Sequence, residues 1–160
     1  DLVKSPKLGT EHSVWVMEVP TWVNIIPITS SGEVILVNQY RFGLEKTSLE
    51  IPGGMADYGE DPKHAAIREL KEETGFEGSE VVEIGRVESN PAIFANHTYT
   101  YLALNCEKSA DQNLDGTEDI EIISKNIDEI PSLIKNREIE HALVISAFYF
   151  YNLYRLSENM

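Results

Sequence analysis

The stretch GMADYGEDPKHAAIRELKEETGF, residues 54–76, decides the fold of this 160-residue chain. Its second half has the pattern of a helix with both ends marked. Asp61 suits the N-cap, and Pro62 suits the first helical position, where a backbone N–H is not needed. Strong helix formers fill residues 63–74, and Gly75 is typical of a residue that ends a helix. We therefore predict a helix that begins at Pro62 and ends before Gly75.

Carboxylates gather on one face of this predicted helix. Glu69 and Glu73 are four residues apart and share a face, Glu72 flanks that face, and Glu60 lies just before the helix. Like charges at such spacings destabilise an isolated helix by roughly 0.2–0.5 kcal/mol per pair. The cluster is either a solvated helix face, which is the usual role of a charge run, or a site for a hard divalent cation.

The same stretch resembles the Nudix box, Gly-x5-Glu-x7-Arg-Glu-U-x-Glu-Glu-x-Gly-U, in which U is a bulky apolar residue. Every defined position is filled, by Gly54, Glu60, Arg68, Glu69, Leu70, Glu72, Glu73, Gly75 and Phe76. At typical residue frequencies, agreement at the seven fixed identities arises by chance on the order of 10⁻⁸ times per starting position. The chain is therefore identified as resembling the Nudix hydrolases.

The resemblance implies an α/β (α+β) fold, an α/β/α sandwich around a mixed central sheet. Outside the box, β-branched and aromatic residues predict strands over residues 13–19, 21–28, 33–38, 80–88, 97–105 and 120–124. A turn at residues 30–32 joins the second and third of these strands as a hairpin. Helices are predicted over residues 128–136 and 139–156. We expect a single domain over residues 1–160.

The resemblance also implies a metal site. Glu69 and Glu73 match the main metal-binding glutamates, Glu72 matches a supporting one, and the Gly53 carbonyl occupies a position that often ligates metal. Arg68 matches the arginine that orients the glutamates by ion pairing, and together with Glu72 it belongs to the expected catalytic set. The expected cofactor is Mg²⁺, with Mn²⁺ as a substitute.

Three further features resemble the branch of ADP-ribose and nucleoside-diphosphate-sugar pyrophosphatases. They are Gln39-Tyr40-Arg41 at the end of a strand, the segment LEIPGG at residues 49–54, and Pro91, which lies 16 residues beyond Gly75. The resemblance therefore implies a nucleotide-sugar substrate.

Candidate substrate contacts follow from that branch. Arg41 is either a phosphate contact through its guanidinium fork or a surface ion pair, and its neighbour Tyr40 favours the contact. Trp15 and Trp22 either stack on a nucleobase or belong to a core or an interface. Pro91 completes the expected substrate-binding set.

A second acidic stretch at residues 111–129 is either a solvated loop or the source of a general base. A metal-bound carboxylate is a poor proton acceptor, so the base must lie outside the box. Glu118 is our candidate, because Glu118-Asp119-Ile120 resembles the place where the branch carries a mobile catalytic glutamate. Asp119, which is shorter, and Glu121, which lies on the predicted strand, are its rivals.

The charge balance limits the partners. The chain has 27 acidic and 13 basic residues, a net charge of −14, which repels nucleic acid and anionic membranes. We expect neither as a partner, and a phosphorylated substrate needs bound cations or local arginines. No apolar run approaches the roughly 18 residues of a membrane helix. The single cysteine, Cys106, excludes an intrachain disulfide framework, and we expect a cytoplasmic protein.

The leading hypothesis is an Mg²⁺-dependent hydrolase that cleaves ADP-ribose or other nucleoside diphosphate sugars into a nucleoside monophosphate and a sugar phosphate. The alternatives are a Nudix enzyme acting on nucleoside triphosphates or dinucleoside polyphosphates, and a non-catalytic nucleotide-sugar-binding module. We also expect a homodimer with the N-terminal strands, about residues 11–29, at its interface. The chain begins at Asp1 without a methionine, and we expect that natural N-terminal residues are missing.

Overall fold

The computed structural model describes residues 1–116 and 118–158. Over these residues the strands are, in chain order, β1 Leu2–Lys4, β2 Glu11–Ser13, β3 Trp22–Pro27, β4 Glu33–Arg41, β5 Lys46–Glu50, β6 Gly53–Met55, β7 Phe76–Glu77, β8 Glu80–Glu88, β9 His97–Leu104, β10 Glu107–Lys108 and β11 Ile120–Asn126. The helices are α1 Pro62–Thr74, α2 Ile130–Lys135 and α3 Ala142–Glu158, with a 3-10 turn at Ile127–Glu129. In this described part of the chain, no helix has the length and the apolar run that crossing a membrane requires.

The longer strands form two sheets. The mixed sheet has the strand order β6-β3-β9-β8, in which β3 runs parallel to β9 and the other neighbours are antiparallel. The second sheet is antiparallel and has the order β11-β4-β5. Two short pairs, β1 with β2 and β7 with β10, lie outside both sheets.

Helices α1 and α3 cover opposite faces of the mixed sheet. Val23 and Ile25 of β3 share a buried cluster with Leu70 of α1. Ile26 of the same strand belongs to a second buried cluster, which contains Phe148 of α3. Because side chains alternate between the two faces of a strand, β3 is covered on both sides. The α/β/α sandwich with a mixed central sheet is therefore confirmed.

Helix α1 begins and ends where the sequence predicts. The Asp61 carboxylate accepts a hydrogen bond from the N–H of Lys63 at 2.9 Å, and Pro62 occupies the first turn. At the other end, Gly75 takes a left-handed conformation with φ 72°, and its N–H donates to the Lys71 carbonyl at 2.8 Å. Glycine suits this position because it has no Cβ to oppose a positive φ. These caps fix the position of the carboxylate-bearing face.

The predicted hairpin is wrong beyond its turn. The N–H of Thr29 donates to the Glu33 carbonyl at 2.9 Å, and one isolated antiparallel bridge joins Ile28 to Val34. After that bridge the strands part, because β3 pairs with β6 and β9 whereas β4 pairs with β5 and β11. The two strands therefore belong to different sheets.

The predicted strand over residues 13–19 is also wrong. Strand β2 ends at Ser13, and beyond it a single bridge joins Met17 to Phe94. Trp15 is 90% exposed. The stretch has the composition of a strand, but β-propensity depends on packing against neighbouring strands, and no ladder forms beside it. The ends of the other predicted strands and helices lie within three residues of the observed ones.

Candidate active site

A cleft of about 660 Å³ is lined by β3, β4, β6, α1, the loop before β11 and the start of α3. The α1 wall carries Arg68, Glu69, Glu72 and Glu73. The other charged and polar side chains of the cleft are Asn24, Gln39, Arg41, Glu50, Asp57, Thr98, Asn113, Asp115, Glu118 and His141. The fold thus brings both predicted acidic regions, the box and the second acidic stretch, to one cleft.

Arg68 is at the centre of the carboxylate cluster. Its Nη1 donates to Glu69 Oε1 at 2.9 Å and to Glu72 Oε2 at 3.0 Å. Its Nε and Nη2 donate to the two oxygens of Glu60 at 3.1 and 3.0 Å. The hydrogen bond to Glu60 is the main reason that the pKa of Arg68 lies above its usual value. One guanidinium therefore orients three carboxylates, as the resemblance implies.

The glycine at position 54 permits the approach of its strand to α1. A Cβ built on Gly54 would lie 2.5 Å from Oε1 of Glu69, closer than real Cβ contacts allow. The Glu69 side chain is 13% exposed, and burial raises its pKa although the charge of Arg68 opposes that rise. A side chain at position 54 would therefore displace the Glu69 carboxylate from its place against β6.

Glu73 is the most buried carboxylate of the α1 wall. The residue is 3% exposed, and its Oε2 accepts a hydrogen bond from the N–H of Gly53 at 3.0 Å. Burial raises the pKa of Glu73 to about 8, and the charge of Glu69 adds to a rise that the Gly53 N–H only partly offsets. Burying a charge without a close counter-charge is costly. Glu73 therefore has the environment of a group that a cation would stabilise.

The donor set fits a hard divalent cation that retains water and substrate ligands. Across residues 1–116 and 118–158, no group of three His, Cys, Asp or Glu side chains converges into a complete cation site. Mg²⁺ typically binds through one or two carboxylates, with water and substrate phosphates completing its octahedron. Glu69 and Glu73, both largely buried, supply carboxylate oxygens of that kind. The wall therefore fits an ion whose coordination is completed by substrate.

Arg41 enters the cleft from β4 and is anchored by Glu50. Its Nε and Nη2 donate to the two oxygens of Glu50 at 2.8 and 2.7 Å, a bidentate pair. The Glu50 side chain is 4% exposed and that of Arg41 is 41% exposed. Burial by itself would raise the pKa of Glu50, but the hydrogen bonds and charge of Arg41 outweigh it and leave the pKa below its usual value. The pair fixes a positive charge in the cleft.

Two members of the second acidic stretch, Asp115 and Glu118, line the cleft from an exposed loop. The Oε2 of Glu118 accepts a hydrogen bond from the N–H of Asp115 at 3.0 Å. The charge of Glu118 contributes to the raised pKa of Glu69 and of Glu73. The rival Glu121 lies on β11, where its carboxylate accepts from the Asn38 amide at 3.3 Å.

The predicted substrate contacts divide into two groups. Trp22 lines the cleft together with Arg41, and its ring packs edge-on against Phe94 with the ring centroids 5.4 Å apart. Trp15, Tyr40 and Pro91 are exposed and do not line the cleft of their own chain. Their predicted roles as substrate contacts therefore find no support in the geometry of the cleft.

The cleft also contains side chains that were not predicted as site residues, among them Glu50, His141 and Asn24. Glu50 anchors Arg41, and His141 Nε2 lies 4.0 Å from Glu50 Oε2 at the start of α3. Asn24 is a buried amide in β3. A signal for Asn24 was present, because it is the one polar residue in the apolar run WVNIIPI. No local pattern marks Glu50 or His141, which meet each other only in the folded chain.

The fold and the cleft define a hydrolase-like site in which helix glutamates, their arginine and a glycine-containing strand meet. The family model described as the NUDIX domain matches residues 20–148. The chain therefore belongs to the NUDIX family and is a Nudix hydrolase.

Individual relatives agree with this assignment. The chain is 29% identical over 139 residues to the ADP-ribose pyrophosphatase of Bacillus subtilis (strain 168), covering 86% of this chain and 75% of that protein. It is 33% identical over 135 residues to the methanol dehydrogenase activator of Bacillus methanolicus, covering 84% and 73%. A crystal structure of an ADP compounds hydrolase superposes with a TM-score of 0.83 at 22% identity, covering 99% and 92% of the two chains, and shows the shared fold.

Proposed function

We propose that this Nudix hydrolase cleaves the pyrophosphate bond of ADP-ribose or other nucleoside diphosphate sugars, giving a nucleoside monophosphate and a sugar phosphate. One observation carries the proposal: a buried carboxylate wall suited to a cation and an anchored arginine, Arg41, line the same cleft. A diphosphate joined to uncharged sugars can use both features. Relatives named ADP-ribose pyrophosphatase and ADP-sugar pyrophosphatase support this choice of substrate.

In this proposal Glu69, Glu73 and the Gly53 carbonyl hold Mg²⁺, with Glu72 in support and Mn²⁺ as a substitute. The bound cation supplies neutralisation of the diphosphate and a water of lowered pKa. Arg68 keeps the glutamates oriented through its ion pairs.

The remaining residues act on the substrate and on the proton. Two nitrogens of Arg41 bond Glu50, so the guanidinium is presented in one orientation and Nη1 donates to a phosphate oxygen. Glu118, on a loop rather than on the wall, accepts the proton of the attacking water. The ring of Trp22 stacks on the nucleobase of the substrate. The bound Mg²⁺ and the guanidinium of Arg41 explain how a chain of net charge −14 attracts the doubly charged diphosphate of the substrate.

A second copy of the chain fits the exposed apolar surface of the N-terminal region. Large apolar side chains stand exposed there: Leu2, Leu8, Trp15, Val16 and Met17. Burial of such a surface in a twofold interface is the commonest way in which soluble chains assemble. We propose a homodimer through this region. We further propose a cytoplasmic location, because the only cysteine, Cys106, is buried and unpaired.

The test is a substrate panel with product identification. ADP-ribose, ADP-glucose, UDP-glucose, a nucleoside triphosphate and a dinucleoside tetraphosphate are incubated with Mg²⁺, and the products are separated by ion-exchange chromatography. The proposal requires the two sugar nucleotide classes to give the highest kcat/KM and a nucleoside monophosphate as product. Preference for the triphosphate or the dinucleotide contradicts it, and binding without cleavage identifies a non-catalytic module.

A further inference from the structure

Asn24 is a buried side chain with an acceptor that the fold leaves unused. The residue is 7% exposed, and its Nδ2 donates to the Leu143 carbonyl at a long 3.4 Å. Its Oδ1 has no hydrogen-bond partner among the residues that the structure describes. Buried polar atoms almost always have a partner, because a bare acceptor loses its hydration without compensation. A donor for this oxygen is therefore missing from residues 1–116 and 118–158, and a ligand in the cleft can supply it.

The position of Asn24 separates it from the carboxylate wall. Its backbone pairs with that of Gly53 across β3 and β6, and the amide lines the cleft. Its strand neighbours Val23 and Ile25 pack in the cluster that contains α1. Because strand side chains alternate, Asn24 faces the other side, where it meets the carbonyl of Leu143 in α3. The unused oxygen therefore faces the organic part of a ligand rather than a cation held by α1.

The neighbourhood of Asn24 indicates which organic part this is. Trp22 lies two residues earlier on the same face and lines the same cleft. Two strand residues span about 6.6 Å, similar to the separation between a nucleobase and the hydroxyls of its ribose. Diphosphate oxygens carry no proton and cannot donate to Oδ1, whereas a sugar hydroxyl can.

We propose that Asn24 determines specificity by accepting a hydrogen bond from a sugar hydroxyl of the substrate. This inference rests on the proposed substrate class, whereas it does not depend on whether the bound nucleotide sugar is hydrolysed. The hydroxyl belongs either to the ribose of the nucleoside or to the distal sugar, and both offer the same donor.

The test pairs Asn24→Ala with the matched control Asn96→Ala. Asn96 is 6% exposed, its Oδ1 also lacks a partner within the described residues, and its Nδ2 donates to the Pro20 carbonyl at 3.0 Å, but it does not line the cleft. Asn24→Ala should lower kcat/KM for ADP-ribose by about tenfold or more, the loss of one hydrogen bond. Its melting temperature should stay unchanged or rise, and Asn96→Ala should keep kcat/KM within about twofold.

Deoxy analogues identify the source of the hydroxyl. ADP-ribose lacking one hydroxyl, on the nucleoside ribose in one arm and on the distal ribose in the other, is compared in the wild type and in Asn24→Ala. The analogue that lacks the bonded hydroxyl should be about tenfold poorer for the wild type and no poorer than ADP-ribose for the variant. If every analogue loses equally in both proteins, the proposal is overturned.

A binding measurement separates this inference from the proposed function. Calorimetric titration in the presence of Mg²⁺ with an ADP-ribose analogue whose bridging diphosphate oxygen is replaced by a methylene group gives Kd without turnover. If the wild type binds the analogue but does not hydrolyse ADP-ribose, and Asn24→Ala binds the analogue about tenfold more weakly, the proposed function fails and the role of Asn24 stands. If the wild type does not bind, or if the variant binds equally well, the role of Asn24 is overturned and a water molecule is its partner.

Discussion

Glu73→Gln tests the most buried carboxylate of the α1 wall. Glutamine has nearly the same shape and keeps an oxygen that can accept the 3.0 Å hydrogen bond from the Gly53 N–H. The substitution therefore removes one negative charge and little else. Turnover should fall by about 10²-fold or more, the scale seen when a group that stabilises charge is lost.

Whereas turnover should fall, the stability of the metal-free protein should rise. Because burial raises the pKa of Glu73 to about 8, folding at neutral pH must either protonate this carboxyl or bury it as an ion, and either costs up to several kcal/mol. A single N–H hydrogen bond to a charged group returns about 1.5–3 kcal/mol of that cost. We therefore expect the neutral side chain to raise the free energy of unfolding by about 1–3 kcal/mol. For a domain of this size that corresponds to a rise in Tm of about 2–12 °C.

Thermal unfolding with and without Mg²⁺ measures both effects in one assay. A ligand that binds only the folded state stabilises it by about 2.7 kcal/mol at 100 times its Kd. The wild type should therefore gain stability when Mg²⁺ is added. Glu73→Gln should start from a higher Tm and gain much less.

Glu77→Gln is the matched control, because Glu77 follows α1 directly but is exposed and pairs with Lys71 outside the cleft. It should turn over substrate at the wild-type rate and keep the full response to Mg²⁺. The reasoning is refuted if Glu73→Gln turns over normally at saturating Mg²⁺, or if the metal-free variant is less stable than the wild type.

Three further predictions concern the base, the buried ion pair and the assembly. Glu118→Gln should lower turnover by about 10²-fold or more, while the affinities for substrate and Mg²⁺ stay unchanged, because glutamine keeps the shape of the side chain but cannot accept a proton as a base. If Glu121→Gln is inactive and Glu118→Gln is active, the base is Glu121 instead. The folded pKa of Glu50 lies below its ordinary value, so the stability from its pair with Arg41 is present above that ordinary value, 4.5, and is lost as the pH falls through the folded value. The urea midpoint of the wild type should therefore fall more steeply on acidification than that of Glu50→Gln, and equal slopes would contradict this. Sedimentation at micromolar concentration should show a dimer, and a stable monomer of 18.0 kDa would refute the proposed interface.

Local signals predicted the elements that depend on local chemistry. The ends of α1 follow from Asp61 and Gly75, whose hydrogen bonds join residues at most four apart. Since the box residues lie on that helix or beside it, their meeting at one wall followed from spacing alone. Local signals did not predict the pairing of β3, because its partner β9 lies more than 70 residues further along the chain. A turn between two strands does not determine which sheet each strand joins.

The rest of the cleft could not be predicted because its contacts are long-range. Strand β6 contains two glycines, which have low strand propensity, and forms only because it pairs with β3. Arg41 and Glu50 are not cross-strand neighbours in the register of β4 and β5, so their pairing depends on side-chain packing. The unused oxygen of Asn24 is likewise invisible until β3 and α3 are brought together.

The alternation of side chains along β3 has a consequence for how enzymes of this shape can diversify. The side chains of Val23 and Ile25 pack in the buried cluster beneath the helix that carries the carboxylates, whereas Trp22 and Asn24, which line the cleft, alternate with them along the strand. Substitutions at Trp22 and Asn24 can change which substrate the cleft binds without disturbing the hydrophobic packing of Val23 and Ile25 against α1. A library randomised only at Trp22 and Asn24 should therefore yield folded variants of altered selectivity. New substrate preferences can arise in this strand by single codon changes at every second residue.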